Sequence, residues 1–535
     1  MFESSPSLLI SLLWNKIPRY TIIQFSSSLI FGLLVHMFFL TNTLPNHDAL
    51  YFVDSGFILR SASQRGLWFT FFPHLISGGT FTFPWLNSLF VLIYVSFSAC
   101  FIGASLFIRK TYLVLLLSAV MISFPAVASG LAFIAVSSNL FFSVLLATLA
   151  VYLLQRFKYG FLFCVIPLIL SLAVYQASFG FFTGLIIILL IRDILIKSES
   201  ANVIFLKCAK YLSSTVLGIV LYFLSILPSF LSGGFMSYAN IDTFGGLTLQ
   251  NFPIRFIGSY RNFLRVIYDD VYGIHPNYMS IFDFRILFLL TVGLAFILIV
   301  HIIISRELYK NKLSLFLLLM AMAIVPPSIN VISIISAYNL HLTMQYSVVL
   351  VFVLALTIID IADISLRGIF SRVHRTVVSC SIWVLLFIHC VVIMNYMVQT
   401  NIQYLSLNAT HIHAKSFSTT LITRIQSEAF YSSEKPILLA GIVPQSHSHS
   451  ILNAHIAGRY VAGSLPNWWS YHSYLINYLG LDNVVKRIFV VEESAVSVFF
   501  YDGEGFMEMF HNMPIYPASG SIVEIEGIIV VRLSE

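Results

Sequence analysis

The sequence contains little charge. Only 10% of its 535 residues are Asp, Glu, Lys or Arg, and 58% are hydrophobic, whereas a soluble domain carries about 25% charged residues. The bases behind the formal net charge of +6 are scattered, which argues against a nucleic-acid partner. The five cysteines lie in or beside apolar segments and lack Cys/His metal spacing. The sequence therefore predicts neither a metal site nor a disulfide framework in its polar C-terminal part.

Long apolar runs account for most of the chain. A bilayer crossing needs about 17–25 apolar residues. Runs of this kind fall near residues 20–42, 84–107, 112–130, 133–154, 160–177, 179–195, 211–232, 286–304, 313–334, 346–366 and 376–399. The predicted fold class is an all-α polytopic membrane protein with about eleven transmembrane helices, in which residues 1–399 form the transmembrane domain.

The basic residues indicate which end of the bundle faces the cytoplasm. They cluster at alternate ends of the proposed crossings, at Lys16/Arg19, Arg109/Lys110, Arg156/Lys158, Arg192/Lys197, Lys207/Lys210, Arg306/Lys310/Lys312 and Arg367/Arg372/Arg375. This alternation predicts a cytoplasmic N-terminus. The outer loops 43–83 and 233–285 and the C-terminal part then share the opposite face. We expect a bacterial inner-membrane protein whose outer face is periplasmic.

Residues 400–535 are more polar and have a different pattern. An amphipathic helix is predicted at 410–430, and strands are predicted at 435–443 and 483–492. Residues 520–533 read as a hairpin that turns at Glu526-Gly527. We expect a small periplasmic α/β domain of ordinary size.

The first outer loop carries two acids, Asp48 and Asp54, just beyond the first crossing. An ionisable group at the surface of an apolar bundle is a candidate functional group. Partial burial would raise the basicity of the Asp48 carboxylate toward that of a general base, although helix capping by Asn46 or Asp48 is an open alternative. Arg65 follows in the same loop. Its side chain either contacts an anion or reaches to the membrane surface, where it is solvated.

The second outer loop holds three arginines, Arg255, Arg261 and Arg265, among aromatic residues. Bases on the outer side run against the cytoplasmic bias of Lys and Arg, and a guanidinium matches the geometry of phosphate. These arginines are candidates for binding the phosphate of a lipid-linked donor. The alternative is an internal ion pair between Arg265 and Asp269, which are four residues apart on a helix.

Further outer-face residues are candidates for binding phosphate or sugar. His341 is a possible phosphate contact or proton shuttle, or a solvated loop residue. Tyr175 and Gln176 lie at an outer helix end, and Trp85 belongs to an aromatic lip on which sugar rings would stack. Trp468 and Trp469 would form a saccharide platform or anchor the C-terminal part to the membrane.

Several stretches together resemble the Gtr family of bacterial and phage-encoded serotype-converting O-antigen glucosyltransferases, which have a GT-C-like architecture. These stretches are "HDALYFVDSGF", "LAVYQASFG", "YNLHLTMQY" and "MPIYPASGSIVEIEGIIVVRL". The resemblance implies transfer of glucose from undecaprenyl-phosphate-glucose to the O-antigen repeat of lipopolysaccharide on the periplasmic face.

The resemblance also assigns roles to residues of the first outer loop. The family's catalytic base maps to Asp48, and Asp54 is a substitute for the second acid, which is missing because His47 precedes Asp48. Arg65 matches the base of a "GRW"-type pattern. No cofactor is implied, and a divalent metal is not indicated because one carboxylate rarely holds such an ion. The implied partners are the bilayer, the lipid-linked donor, the O-antigen acceptor, an enzyme that makes the donor and a flippase that delivers it.

Two other functions fit the sequence. One is a transporter or flippase of a lipid-linked saccharide, for which ionisable residues near the bilayer midplane would be typical. The acids here lie at membrane surfaces, which favours the enzyme. The other is a GT-C enzyme that transfers a different sugar, which no residue excludes.

Overall fold

The chain is mainly helical. The computed structural model describes residues 17–42, 44, 62–77, 83–197, 201–232, 247–248, 250–265, 284–336, 340–365, 372–440, 510, 512–525 and 527–533. Its α-helices are α1 (Arg19–Thr41), α2 (Phe71–Ile76), α3 (Pro84–Ser105), α4 (Thr111–Ser123), α5 (Pro125–Ala132), α6 (Ser137–Arg156), α7 (Gly160–Phe163), α8 (Val165–Val174), α9 (Phe179–Lys197), α10 (Ala201–Leu231), α11 (Phe252–Arg265), α12 (Phe284–Ser305), α13 (Lys312–Ile329), α14 (Ile332–Ile335), α15 (Leu350–Ser365) and α16 (Arg372–Gln426). Short 3-10 helices occupy Trp68–Thr70, Gln176–Ser178, Leu308–Lys310 and Leu342–Val349.

Within these residues, ten helical stretches are long and apolar enough to cross a membrane. They confirm the all-α polytopic fold class. The count differs from the predicted eleven because the run at 160–177 forms a shorter apolar helix, Gly160–Val174. At about 1.5 Å per residue this helix falls short of a hydrocarbon core of about 30 Å. It ends early because Tyr175 has an extended backbone, with φ −161° and ψ 109°.

A buried histidine joins the first and last helices of the bundle. The Nδ1 atom of His36 lies 2.7 Å from the Tyr404 hydroxyl, and its Nε2 atom lies 3.0 Å from the Ile122 carbonyl oxygen. A carbonyl only accepts, so Nε2 donates to Ile122 and a neutral His36 accepts the Tyr404 proton at Nδ1. This pairing ties α1, α4 and α16 together at the core.

The last helix is much longer than one crossing. The sequence predicts a crossing at 376–399 and a separate amphipathic helix at 410–430, but α16 continues without a break from Arg372 to Gln426. No Pro or Gly occurs in "NIQYLSLNAT" between the two predicted segments, so nothing in the sequence ends the helix there. The predicted domain boundary at 399/400 falls inside α16, and the division into two domains stays a prediction.

A three-stranded sheet follows α16, in the order β1 (Ile437–Ala440), β3 (Ile528–Arg532), β2 (Ile522–Ile525). The predicted strand at 435–443 is confirmed as β1, which pairs parallel to β3. The predicted hairpin is confirmed as the antiparallel pair β2–β3. Its turn needs the glycine, because Gly527 has φ +81°. Leu421 and Ile425 of α16 pack into the core of this sheet. The strand predicted at 483–492 lies outside the described residues.

Candidate functional site

The first outer loop packs on the bundle where α8 gives way to α9. The Gln176 side chain donates from Nε2 to the Arg65 carbonyl oxygen at 3.3 Å and to the Tyr222 hydroxyl at 3.0 Å. The Tyr222 hydroxyl in turn donates to the Gly66 carbonyl oxygen at 3.4 Å. Arg65 and Gln176, two of the predicted site residues, are therefore brought together, and Tyr222 of α10 completes the contact.

A tryptophan fixes the same loop a few residues further on. Trp68 donates from Nε1 to the Ser225 hydroxyl at 3.0 Å. Ser225 lies one helical turn beyond Tyr222, and its own hydroxyl donates to the Tyr222 carbonyl oxygen at 2.6 Å. Phe69 stacks on Phe72 with ring centroids 5.3 Å apart. These contacts hold the chain that follows Asp48 and Asp54 against α10 and the end of α8.

A small cavity lies beside this contact, between α6, the Gln176–Ser178 turn and the Leu342–Val349 helix. It has room for about one water molecule (about 10 Å³) and is lined by Tyr175, Ser178, Phe141, Phe181 and Tyr346, among others. Tyr346 packs edge-on against Phe141 and Phe181. Its hydroxyl donates to the Met121 carbonyl oxygen at 2.7 Å, which fixes the ring. Tyr175 is thus placed next to a rigid aromatic wall.

A glycine allows three elements to meet next to this cavity. A Cβ atom on Gly180 would lie 2.5 Å from the Ile329 carbonyl oxygen and 2.5 Å from the Ser347 hydroxyl oxygen. The Ser347 hydroxyl donates to that same carbonyl at 2.7 Å. Any larger residue at position 180 would force α9 away from the end of α13, so this approach requires glycine.

Two buried carboxamides lie at the ends of helices on this side of the bundle. Asn139 is in the first turn of α6 and 3% exposed, and Asn330 directly follows α13 and is 1% exposed. Neither side chain has a hydrogen-bond partner among the residues the structure describes. Leaving a buried amide unpaired costs about 1–3 kcal/mol. These groups therefore suit a ligand that offers hydroxyls.

Sequence reasoning missed these two asparagines. The available signal was a single amide inside each of the apolar runs "SSNLFF" and "PSINVI". Tyr222 and Ser225 were missed as well, because nothing in the sequence of α10 indicates that residues 65–68 pack on them.

The arginine-bearing segment forms the amphipathic helix α11. Arg255 is half-buried and donates from Nη1 toward the Ile334 and Ile335 carbonyl oxygens at 3.5 and 3.4 Å. Arg261 and Arg265 are exposed, as is Ile257 between them and Arg255. An exposed face that mixes isoleucine and arginine is typical of a helix at a membrane surface. The structure thus separates Arg255, which fastens α11 to α14, from Arg261 and Arg265.

The remaining predicted residues divide into exposed ones and ones outside the described chain. His341 is exposed at the start of the Leu342–Val349 helix, and Trp85 is 59% exposed in the first turn of α3. Both belong to the face that the sequence predicts to be the outer one. Asp48, Asp54, Trp468 and Trp469 lie outside the described residues, so their placement stays a prediction.

Within the described chain, no group of three or more His, Cys, Asp or Glu side chains is placed to hold a metal ion. The prediction that no divalent metal is bound concerned Asp48 and Asp54, and both lie outside the described residues. The metal question therefore stays a prediction.

Comparison with known proteins gives one match. Residues 37–356, more than half of the chain, match the sequence model of a protein family described as glucosyl transferase GtrII. The match includes both outer loops, the Gln176 contact and His341, and it ends within α15, before Trp468 and Trp469. No curated protein and no solved structure matches the chain.

Proposed function

The chain belongs to the GtrII glucosyl transferase family, and from this premise we propose that it moves glucose from undecaprenyl-phosphate-glucose to the O-antigen repeat of lipopolysaccharide. The proposed reaction takes place on the periplasmic face of a bacterial inner membrane and changes the serotype of the polymer. The observation that carries the proposal is the contact of Gln176 with Arg65 and Tyr222. It brings the loop that carries the proposed base to the outer helix end that carries the proposed sugar contacts.

The proposed chemistry is a direct displacement at the anomeric carbon of the donor. The Asp48 carboxylate takes the proton of an acceptor hydroxyl, whose oxygen forms the new glycosidic bond as the bond from glucose to phosphate breaks. Undecaprenyl phosphate leaves with the electron pair. Cations near the leaving phosphate stabilise the charge that develops on it. Asp54 is the alternative base.

The proposed donor-phosphate contacts are the outer-face cations. Arg261 and Arg265 are exposed on the same helix as Ile257, which suits a phosphate attached to a lipid chain. The further members of this set are Arg65, Arg255 and His341. Arg255 donates toward the carbonyls at the end of α14, which holds its guanidinium beside that helix.

The proposed sugar contacts lie deeper. Tyr175 lines the small cavity beside its aromatic wall and Gln176 follows it in the chain, and the buried amides of Asn139 and Asn330 offer donors and acceptors for sugar hydroxyls. Trp85, Trp468 and Trp469 are the proposed stacking surfaces for the acceptor polymer. No metal or cofactor enters the proposed reaction. The proposal includes a functional link to an enzyme that makes the donor and to a flippase that delivers it to the outer leaflet.

The buried carboxylates favour transfer over transport. In the described chain, Asp193 and Asp360 are buried, and both lie near the Lys/Arg-rich helix ends, where they pair with Lys207 and Lys110. A transporter would be expected to carry its ionisable groups near the midplane. These two aspartates instead hold helices together at one membrane surface.

The test compares the wild type with Asp48→Asn and Asp54→Asn. Each purified protein is given undecaprenyl-phosphate-glucose and a lipid-linked O-antigen repeat, and product is followed by mass spectrometry. We expect Asp48→Asn to lose about 10²-fold or more of the transfer rate, in line with the contribution of a general base, and Asp54→Asn to retain most of it. Donor binding by Asp48→Asn should persist. If Asp48→Asn transfers glucose at the wild-type rate and Asp54→Asn does not, Asp54 is the base. If the wild type transfers nothing, the proposed donor and acceptor are wrong.

A further inference from the structure

A second cavity opens at the opposite end of the bundle, where Lys and Arg are concentrated. It measures about 370 Å³ and is lined by His301, Ile304, Ser305, Arg306, Ile364, Ser365 and His374. These residues come from the end of α12, the end of α15 and the start of α16. Among the described residues that line this cavity none is acidic, and the polar ones are His301, Ser305, Arg306, Ser365 and His374.

Two histidines and a serine form a hydrogen-bonded row in the wall. His301 is 2% exposed, with its Nε2 atom 2.9 Å from the Ser365 hydroxyl and its Nδ1 atom 2.8 Å from Nε2 of His374. The Ser365 hydroxyl donates its proton to the Ala362 carbonyl oxygen at 2.7 Å. Its oxygen therefore accepts from Nε2 of His301, and a neutral His301 accepts from His374 at Nδ1. The row fixes His374, which is half-buried, at the edge of the cavity.

The guanidinium in the wall has no carboxylate partner among the described residues. Arg306 donates to the Ile196 carbonyl oxygen, and burial lowers the pKa of Arg306 from its ordinary value. The neighbouring acids are engaged elsewhere, because Glu307 pairs with Lys310 at 2.6 Å and Asp363 with Lys110 at 2.7 Å. A guanidinium has five N–H donors, so Arg306 has donors beyond the one directed at Ile196 with which to bind an anion.

The mouth of the cavity is apolar and exposed. Ile304 and Ile364 line it and are 54% and 51% exposed. Both sit within one turn of the end of a membrane-spanning helix, Phe284–Ser305 and Leu342–Ser365 respectively. Exposed isoleucines at that level face lipid. A ligand that fits both parts of the cavity has a phosphate group for Arg306 and His374 and a hydrocarbon chain for the isoleucines.

We propose that this cavity binds the phosphate of a lipid headgroup from the leaflet at the Lys/Arg-rich end of the bundle. Arg306 binds the phosphate oxygens, His374 donates to them when protonated, and the acyl chain runs along Ile304 and Ile364. The ligand holds α12, α15 and α16 together at an end where the structure gives these helices no shared ion pair in the described residues. The site is separate from the proposed transfer reaction, which uses the opposite face.

The test measures the thermal unfolding midpoint of the full-length protein in dodecyl maltoside as lipid is added. The probes are dioleoyl-phosphatidylglycerol, dioleoylglycerol without phosphate, and inorganic phosphate. The variants are Arg306→Gln and His374→Phe, and the control is Lys310→Gln, whose charge lies in the same connection but outside the cavity. We expect phosphatidylglycerol to raise the unfolding midpoint of the wild type and of the control. The lipid concentration needed for the same rise should be about tenfold or more higher for each cavity variant, because its affinity is lower.

Each other outcome overturns the proposal or part of it. An equal rise with dioleoylglycerol would show that the phosphate is not recognised. An equal rise with inorganic phosphate would assign the site to a free anion. An equal loss in Lys310→Gln would show a general charge effect rather than a site. If Arg306→Gln does not fold, His374→Phe and Arg306→Lys decide the question, because Lys keeps the charge and loses the bidentate geometry.

Discussion

The two ends of the helical bundle use polar side chains in opposite ways. At the Lys/Arg-rich end, charges pair across helices: Asp193 lies 2.5 Å from Lys207, and Lys110 lies 3.0 Å from Asp360 and 2.7 Å from Asp363. At the outer end, the contacts described above run through amides, hydroxyls and backbone carbonyls, as at Gln176, and Arg255 donates to backbone carbonyls. Ion pairs therefore hold helices together at the Lys/Arg-rich end, whereas uncharged donors and acceptors lie near the small cavity at the outer end.

The difference has a physical reason. An ion pair with good geometry holds two helices together, but its charged groups are already occupied and bind a ligand less readily. Burial lowers the pKa of Lys110, but its hydrogen bonds to Asp363 and Asp360 outweigh that effect and raise the pKa overall. The neutral amide of Asn330, which has no hydrogen-bond partner among the described residues, could bind a sugar hydroxyl, as proposed above, without a competing counter-ion. We therefore expect substitutions of the ion pairs at the Lys/Arg-rich end to affect mainly stability, and substitutions at the proposed transfer site to affect mainly sugar transfer.

The largest effect is expected at the buried aspartate of the Lys/Arg-rich end. The Asp193 side chain is 4% exposed and accepts from Lys207 and Arg192. Asp193→Asn removes the buried carboxylate that both cations contact, and removing one partner of a buried ion pair costs about 3–5 kcal/mol. The measurement is the free energy of unfolding in mixed SDS and detergent micelles.

The matched control for Asp193→Asn is Glu307→Gln, in an exposed pair with Lys310. Exposed pairs contribute little, so this variant should unfold like the wild type. If the two variants lose equal stability, burial of the pair is not what matters, and the Lys/Arg-rich end is not specially fastened.

A smaller effect of opposite sign is expected at the outer end. Asn330→Leu removes a buried amide that has no partner among the described residues, so the free energy of unfolding should stay level or rise by up to about 1–3 kcal/mol. Transfer should fall, because the proposed sugar contact is lost. The measurements are unfolding in the same micelles and the mass-spectrometric transfer assay.

Asn87→Leu is the control for this second variant. Asn87 is also buried, but its side chain donates to the Ile134 carbonyl oxygen at 3.0 Å. Its replacement should lower stability. A stability loss in Asn330→Leu as large as in Asn87→Leu, with transfer unchanged, would make Asn330 a structural residue and weaken the contrast between the ends.

Much of the fold follows from the sequence because hydropathy and turn chemistry are local. The crossings follow from apolar length, and the C-terminal hairpin follows from Glu526-Gly527 between alternating apolar residues. Where the structure differs in detail from the prediction, a single local feature decided the outcome. Tyr175 ends α8 early by adopting an extended backbone, and the lack of Pro or Gly lets α16 run past its predicted end.

The candidate site was predicted only in part, because its partners are distant in the chain. Arg65 and Gln176 stood out as polar groups at outer positions, but a sequence does not reveal that they touch. Tyr222 looked like an ordinary aromatic residue of an apolar run, and Asn330 was a single amide inside the predicted crossing 313–334. Such groups gain meaning only from the packing of α10 and α13 against other helices.

The smallest effect tests whether the Gln176 contact works as a unit. Gln176→Met removes the donor to Arg65 and Tyr222, and Tyr222→Phe removes the hydroxyl shared with Gly66. Each net hydrogen bond between neutral groups is worth about 1 kcal/mol. In a double-mutant cycle we expect a coupling of about 1 kcal/mol in the transfer rate, with the second change costing little once the first is made.

The companion variant is Ser225→Ala, which removes the Trp68 contact on the same face of α10 and leaves Gln176 untouched. It should add independently to either change, because Ser225 holds a different part of the loop. Independent costs from Gln176→Met and Tyr222→Phe would mean that they act at separate places. The first outer loop would then be held by Trp68 rather than by Gln176. The contact of Gln176 with Arg65 and Tyr222 would no longer support the proposed function.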